Sequence, residues 1–176
     1  FQRLEDEPHS TVRLCDLAAG FAGTSICPAG SKELACYGLR REWTLPGNIH
    51  LLNLHGSLGW LGDPDSGRVW KFALEDLRSV DEEGLSYWTL LRAGRQRLEP
   101  RVVLTDRKDE AVAQWPFSLA YDIFEDRLVR SHRWLIAGYS FGDRPVNYAL
   151  RRALARRRDS NWGQPRILVL GGPGAD

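Results

Sequence analysis

Two short stretches hold the residues of this chain whose types and spacing suit chemistry. The first is Ile49-His-Leu-Leu-Asn-Leu-His-Gly-Ser-Leu-Gly-Trp60, an apolar run that ends in His55, Gly56 and Ser57. A neutral imidazole can accept a proton near neutral pH. At the end of a strand beside small residues, the His55 ring would stand where a ligand's ribose can come close. Read alone, His55 is better explained as a core or capping histidine bonded to a backbone carbonyl. The second stretch is Trp134-Leu-Ile-Ala-Gly-Tyr-Ser-Phe-Gly-Asp-Arg-Pro-Val-Asn147. Apolar residues run into Gly138, then Ser140, Gly142, Asp143 and Pro145 follow. Glycine lets backbone approach a ligand, a serine hydroxyl can donate or accept, and a helix N-terminus favours anions. Asp143 suits either of two roles, capping the helix or bonding a ribose hydroxyl. Asn147, one turn into that helix, would face the site or solvent. Gly171 ends a third apolar run, where an adenine or ribose commonly packs in such folds.

The elements that must position these residues follow from periodicity and turn chemistry. Asn48–Leu54 reads as a strand. Leu58–Leu61 and Arg68–Phe72 read as arms of a hairpin closed by Asp63-Pro-Asp-Ser-Gly67. The Asp63/Asp65/Gly67 spacing mimics part of a calcium loop, but the twelfth position is Leu74 rather than Glu, so turn chemistry explains it. Residues 73–98 read as helical, with Leu74, Leu77, Leu85, Trp88, Leu91 and Leu98 as the buried set. Arg101–Leu104 is a short strand and Pro116–Val129 a helix whose inner face holds Leu119, Ile123, Phe124 and Leu128. Arg133–Tyr139 is the strand feeding the glycine turn. Asp143 and Pro145 open a helix with an apolar stripe at Val146, Ala149/Leu150 and Ala153/Leu154. Arg166–Leu170 reads as a last buried strand. Strand, helix, strand, helix, strand over residues 100–171 is the pattern of a parallel sheet with right-handed crossovers. The expected fold is therefore α/β, part of a Rossmann-like doubly wound parallel sheet, with a hairpin-plus-helix insertion over about 57–98. Residues 1–44 form an irregular or helical amino-terminal segment, with a loop over 20–32, and 45–176 carry the sheet. Gly20-Phe-Ala-Gly23 lacks the preceding strand and third glycine of a phosphate loop.

Composition narrows the function classes. The chain has 176 residues and a net charge of +1, so no global field recruits nucleic acid or an anionic membrane. Lys occurs only at 32, 71 and 108, and the arginines at 151, 152, 156, 157 and 158 read as a solvated helix end rather than a nucleic-acid patch. No window approaches the roughly 18 apolar residues of a membrane span. Cys15, Cys27 and Cys36 form no CxxC pair and no His sits at finger spacing, so no metal site is expected. An odd cysteine count favours a reducing, cytoplasmic setting. The chain begins at Phe1 and contains no Met, which points to a piece of a longer polypeptide.

Taken together, Leu54-His55-Gly56-Ser57-Leu58-Gly59-Trp60 and Ile136-Ala-Gly138-Tyr-Ser140-Phe-Gly142-Asp143-Arg-Pro-Val-Asn147 resemble the sirtuin-like NAD-hydrolase family of bacterial defence proteins. The spacer Val102–Lys108, then Pro116-Phe and a helix, fits too, so the resemblance spans about residues 45–171. It implies a Rossmann-like domain with NAD+ as substrate, no metal, and cleavage of the nicotinamide–ribose bond. By the same resemblance His55 is catalytic, acting on ribose hydroxyls or water. Gly56, Ser57, Gly138, Ser140, Gly142, Asp143, Asn147 and Gly171 would bind the nucleotide. Partner expectations are a homo-oligomer or additional domains in a longer chain. Two departures count. The family's glycine-rich phosphate loop has no convincing match, and its Thr-Asn-Tyr-Asp-type segment with the catalytic Asn does not occur in these residues. A second reading is thus a module that senses NAD+ or a related nucleotide without cleaving it. Protein deacylation ranks behind both, because no Cys follows Cys36 to build the four-cysteine zinc site of deacylating sirtuins.

Overall fold

The computed structural model describes residues 14–15, 24–26, 34–39, 49–75, 77, 98–104 and 107–171. The chain divides into two compact units, Phe1–Leu104 and Thr105–Asp176. The boundary expected at 44/45 and the Gly20–Gly23 loop lie outside the described residues. The architecture is mixed α/β.

The first unit is built on antiparallel strands. Its main sheet has the order β2-β3-β6-β5-β7, formed by Thr24–Ile26 (β2), Leu34–Gly38 (β3), Val69–Phe72 (β6), Gly56–Gly62 (β5) and Glu99–Val102 (β7). Leu14–Cys15 (β1) pairs in parallel with Ile49–His50 (β4) as a separate ribbon. The expected hairpin is present, with Leu61 opposite Trp70 and Gly62 opposite Val69. Its turn is held by Asp63: one carboxylate oxygen accepts the Asp65 amide at 2.9 Å and the other accepts the Ser66 hydroxyl at 2.6 Å. The Ser66 bond, first among several contacts, holds the Asp63 carboxyl below the usual carboxylate range. That contribution is present at neutral pH and fades as pH falls through the lowered value. Cys36, Leu61, Trp70, Phe72, Leu77 and Leu98 form the core.

Several sequence expectations change here. The strand expected over Asn48–Leu54 is confined to Ile49–His50, and a turn closed by the Gly56 amide on the Asn53 carbonyl follows. Thr24–Ile26, expected as loop, is a strand. The strand near Arg101–Leu104 pairs antiparallel with β5 rather than lying parallel to the later strands. Among the described residues β7 lies at the edge of the sheet, a position that tolerates Pro100, which has no amide to give. Of the helix expected over 73–98, positions 74, 75 and 77 are helical, and Leu85, Trp88 and Leu91 lie outside the described residues.

Gly59 faces backbone of the neighbouring strand region at close range. A Cβ there would stand 2.8 Å from the Phe72 carbonyl oxygen, which is backbone and cannot swing away. Gly59→Ala is expected to destabilise the unit by about 1–3 kcal/mol. An unchanged urea midpoint would contradict this packing.

The second unit follows the expected strand–helix order closely. Lys108–Val112 (α1) and Phe117–Arg130 (α2) precede Arg133–Ala137 (β8), and Arg144–Asp159 (α3) connects β8 to Arg166–Leu170 (β9). β8 and β9 are parallel, in register from Arg133/Arg166 to Ala137/Leu170. Helix α2 buries Phe117, Ala120, Ile123, Glu125 and Val129, so of the expected inner face Ile123 is buried and Leu119, Phe124 and Leu128 are partly buried. Val129, Trp134 and Ala153 are the core, with Leu128, Leu150 and Leu154 packed against it. Strand β9 is correct as a strand, but every residue of it is exposed, and Leu135 of β8 is 66% exposed. Parallel strands read as apolar runs because they are meant for burial on both faces. Here, among the described residues, β9 has one neighbouring strand and keeps an open edge.

The arginine cluster at the end of α3 is not uniformly solvated. Arg152 and Arg156 both pair with the buried Glu125, at 3.2 and 3.0 Å. Arg157 is fully buried.

Candidate functional site: the turn between β8 and α3

Strand β8 ends at Ala137 and the chain reverses over Gly138–Asp143. Gly138 has φ +65°, a conformation that glycine adopts without strain, and its amide donates to the Leu170 carbonyl at 3.2 Å. That bond ties the start of the turn to the end of β9, so Gly171 follows at the same carboxyl edge of the sheet. Phe141 also has positive φ, +57°, which tightens the turn further. Gly138, Ser140 and Gly142 are exposed. The turn thus offers small residues and a hydroxyl at the carboxyl end of parallel strands, directly before a helix of 16 residues.

Asp143 caps that helix. Its Oδ1 accepts the Val146 amide at 3.2 Å, and Pro145 occupies the first turn, where a missing amide costs nothing. Its Oδ2 accepts from Lys108 Nζ at 2.9 Å. Of the two roles open to Asp143 in the sequence, capping is the one its geometry displays. Asn147 faces the turn: its Nδ2 donates to the Phe141 carbonyl at 2.6 Å. The Tyr139 hydroxyl lies 2.9 Å from both the Asp143 carbonyl oxygen and Asn147 Oδ1, and its single proton serves one or the other. Burial first, then the Asp143 charge, raises the Tyr139 phenol above its ordinary range. Tyr121 on α2 is raised for the same reasons in the same order. Both stay neutral, so Tyr139 remains a donor to one of these two oxygens, while Asn147 is held against the turn by its own bond to the Phe141 carbonyl.

Two hollows adjoin the turn. A polar one of about 330 Å³ is lined by Asp109, Arg144, Asn147, Tyr148 and Arg151. An apolar groove of about 370 Å³ runs between α3 and the sheet, past Ile136, Phe141, Leu150, Leu154, Ile167 and Val169.

Of the expected site residues, Gly138, Ser140, Gly142, Asp143 and Asn147 come together at this turn, with Gly171 at the same sheet edge. His55, Gly56 and Ser57 belong to the first unit. There His55 lies in the turn before β5, with its carbonyl accepting the Val103 amide at 2.9 Å. Gly56 has φ +80° and begins β5, and Ser57 Oγ accepts the Gly59 amide at 3.2 Å. The His-Gly-Ser segment therefore opens an antiparallel strand, whereas the sequence predicts it at the end of a strand. Sequence reading passed over Lys108 and Tyr139. Tyr139 sits inside the motif and carried a usable signal, a phenol amid small residues, whereas Lys108 is 35 positions from its partner.

Among the described residues, no group of three or more His, Cys, Asp or Glu side chains is placed to hold a metal ion, and no helix is long and apolar enough to cross a membrane. Comparison with protein-family models, curated proteins and solved structures finds no match to this chain.

Proposed function

We propose that the chain belongs to a sirtuin-like NAD+ glycohydrolase, acting in the cytoplasm as an effector in bacterial defence. The observation that carries this reading is the β8–turn–α3–β9 unit. A positive-φ glycine, exposed Ser140 and Gly142, and a capped helix N-terminus meet at the carboxyl edge of a parallel pair, as nucleotide-binding α/β folds require. In the finer fold reading, β8 and β9 are part of a Rossmann-like doubly wound sheet. The apolar groove beside Phe141 offers a flat base a nonpolar surface, and the turn offers the diphosphate its amides.

The reaction breaks the bond between nicotinamide and ribose C1′ and forms one from water to C1′, giving ADP-ribose, nicotinamide and a proton. Charge develops on the ribose as an oxocarbenium ion. His55 is the proton acceptor in this reading, taking a proton from a ribose hydroxyl or from the attacking water as that charge grows. Nicotinamide release from NAD+ by the intact protein, with and without His55→Ala, tests it. A homo-oligomer or further domains are part of the proposal, and sedimentation of the full-length protein addresses them.

The alternative, a nucleotide sensor, rests on the His-Gly-Ser segment opening an antiparallel strand, where the expected strand end does not form. Calorimetry separates the two: NAD+ binding without turnover supports the sensor, and no binding removes both. Gly138 provides a second test. At φ +65° a side chain on Gly138 strains the backbone by roughly 1–2 kcal/mol, and its Cβ, which meets nothing within 4 Å, puts bulk into the open space beside the turn. Gly138→Val is expected to weaken NAD+ binding at least about tenfold by calorimetry. An unchanged affinity would take the nucleotide away from this turn.

A further inference from the structure

We propose that Lys108 is a positioning residue that cancels the charge of Asp143 and thereby lets an anionic nucleotide approach the turn. The inference rests on the NAD+ reading and concerns how the turn tolerates a diphosphate. A carboxylate at a helix N-terminus makes a good cap, but it sets a negative charge where the helix would otherwise attract an anion. Asp143 is the residue with this conflict. Its Oδ1 is committed to the Val146 amide, so the side chain cannot turn away without uncapping α3. Its side chain is only 11% exposed, so water screens the charge poorly. Lys108 Nζ sits 2.9 Å from Oδ2, with its side chain 38% exposed. The ion pair presents a dipole to an incoming anion in place of a net charge. Asp109 and Arg144, 3.8 Å apart, are a more exposed pair on the same two elements, and Arg151 lines the same hollow as a further cation. Lys108 thus touches no substrate. It acts through Asp143, by keeping that side chain in its cap geometry and neutral in effect.

The test uses ADP-ribose, which carries the diphosphate and cannot be cleaved at the nicotinamide bond. Its affinity is measured by calorimetry at low and high salt, with circular dichroism to check folding. Lys108→Met is expected to weaken binding about tenfold at low ionic strength, and the deficit should shrink at high salt, because repulsion between charges is screened. Lys108→Arg should stay within about twofold of the unchanged protein, since the charge is retained. The double variant Lys108→Met/Asp143→Asn should recover binding, because the amide oxygen can still accept the Val146 proton while the charge is gone. In a folded Lys108→Met protein, an unaltered affinity at both salt concentrations would overturn the inference while leaving the functional reading intact. A salt-independent loss that the double variant fails to restore would also overturn it, by showing a merely structural role. Absence of ADP-ribose binding by the unchanged protein would remove the functional reading, and this inference with it.

Discussion

Replacing His55 with Ala is expected to lower NAD+ cleavage by about 10²–10⁴-fold, the range set by loss of a positioned proton acceptor. The fold should survive the change. What His55 contributes to the sheet in backbone bonding is its carbonyl, which accepts the Val103 amide at 2.9 Å, and Ala keeps that carbonyl. The neighbouring reversal is set by Gly56 at φ +80°, with its amide on the Asn53 carbonyl, and neither group belongs to the His55 side chain. The imidazole is half-buried, so its truncation opens no enclosed core cavity, and a stability change within about 1 kcal/mol is expected. Nicotinamide release followed by chromatography, with thermal unfolding of both proteins, reads the two quantities separately. A His55→Ala protein that cleaves NAD+ at the original rate would sink the catalytic assignment. Equal loss of activity and of the unfolding transition would mean that the histidine serves structure instead.

What the sequence disclosed, and what it hid, divides along the range of the interactions. The hairpin at Asp63–Gly67 and the cap at Asp143 were legible, because each is fixed by residues within a few positions: Asp63 with Asp65 and Ser66, Asp143 with Val146 and Pro145. The order α2, β8, α3, β9 was legible from periodicity for the same reason. Pairing between distant strands was not. A short apolar run such as Arg101–Leu104 fits a parallel or an antiparallel neighbour equally well, and only the partner, β5, decides. Strand β9 shows the complementary failure: four of its five residues predict burial by type, yet burial depends on what lies on each face and edge. At the candidate site, Gly138 and Asp143 declared themselves by type, while the Lys108–Asp143 pair bridges 35 positions and leaves no local trace. The same limit hid Arg157, one letter in an arginine-rich run whose neighbours on the helix are exposed.

Arg157→Met is expected to destabilise the second unit by about 2–4 kcal/mol, the scale for losing several hydrogen bonds made by one buried charged donor. The guanidinium is fully buried and its donors are all directed at the polypeptide. Nη1 donates to the carbonyls of Val129 and Ser131 at the end of α2, with the Ser131 bond at 2.8 Å. Nε donates to the Gly163 carbonyl at 3.0 Å and Nη2 to the Trp162 carbonyl at 3.1 Å. One side chain therefore ties the end of α2 to the segment between α3 and β9. Nη2 also lies 3.4 Å from His132 Nδ1, and His132 stacks on Trp162. Methionine fills similar volume but donates nothing, so the Val129, Trp162 and Gly163 carbonyls lose this donor, the Val129 bond being the buried one, while Ser131 keeps Trp134 Nε1 at 3.2 Å. Lysine keeps the charge but not the planar fork that reaches several carbonyls at once, so Arg157→Lys should fall between the two. Arg158→Met is the natural control: Arg158 is 74% exposed and pairs with Asp159 at 3.8 Å, an ion pair of the kind that contributes about 0–1 kcal/mol. Urea unfolding of the three variants gives the comparison directly. If Arg157→Met and Arg158→Met shift the midpoint equally and slightly, the carbonyls around Arg157 must find other donors, and the clasp at the end of α2 is not what holds this unit together.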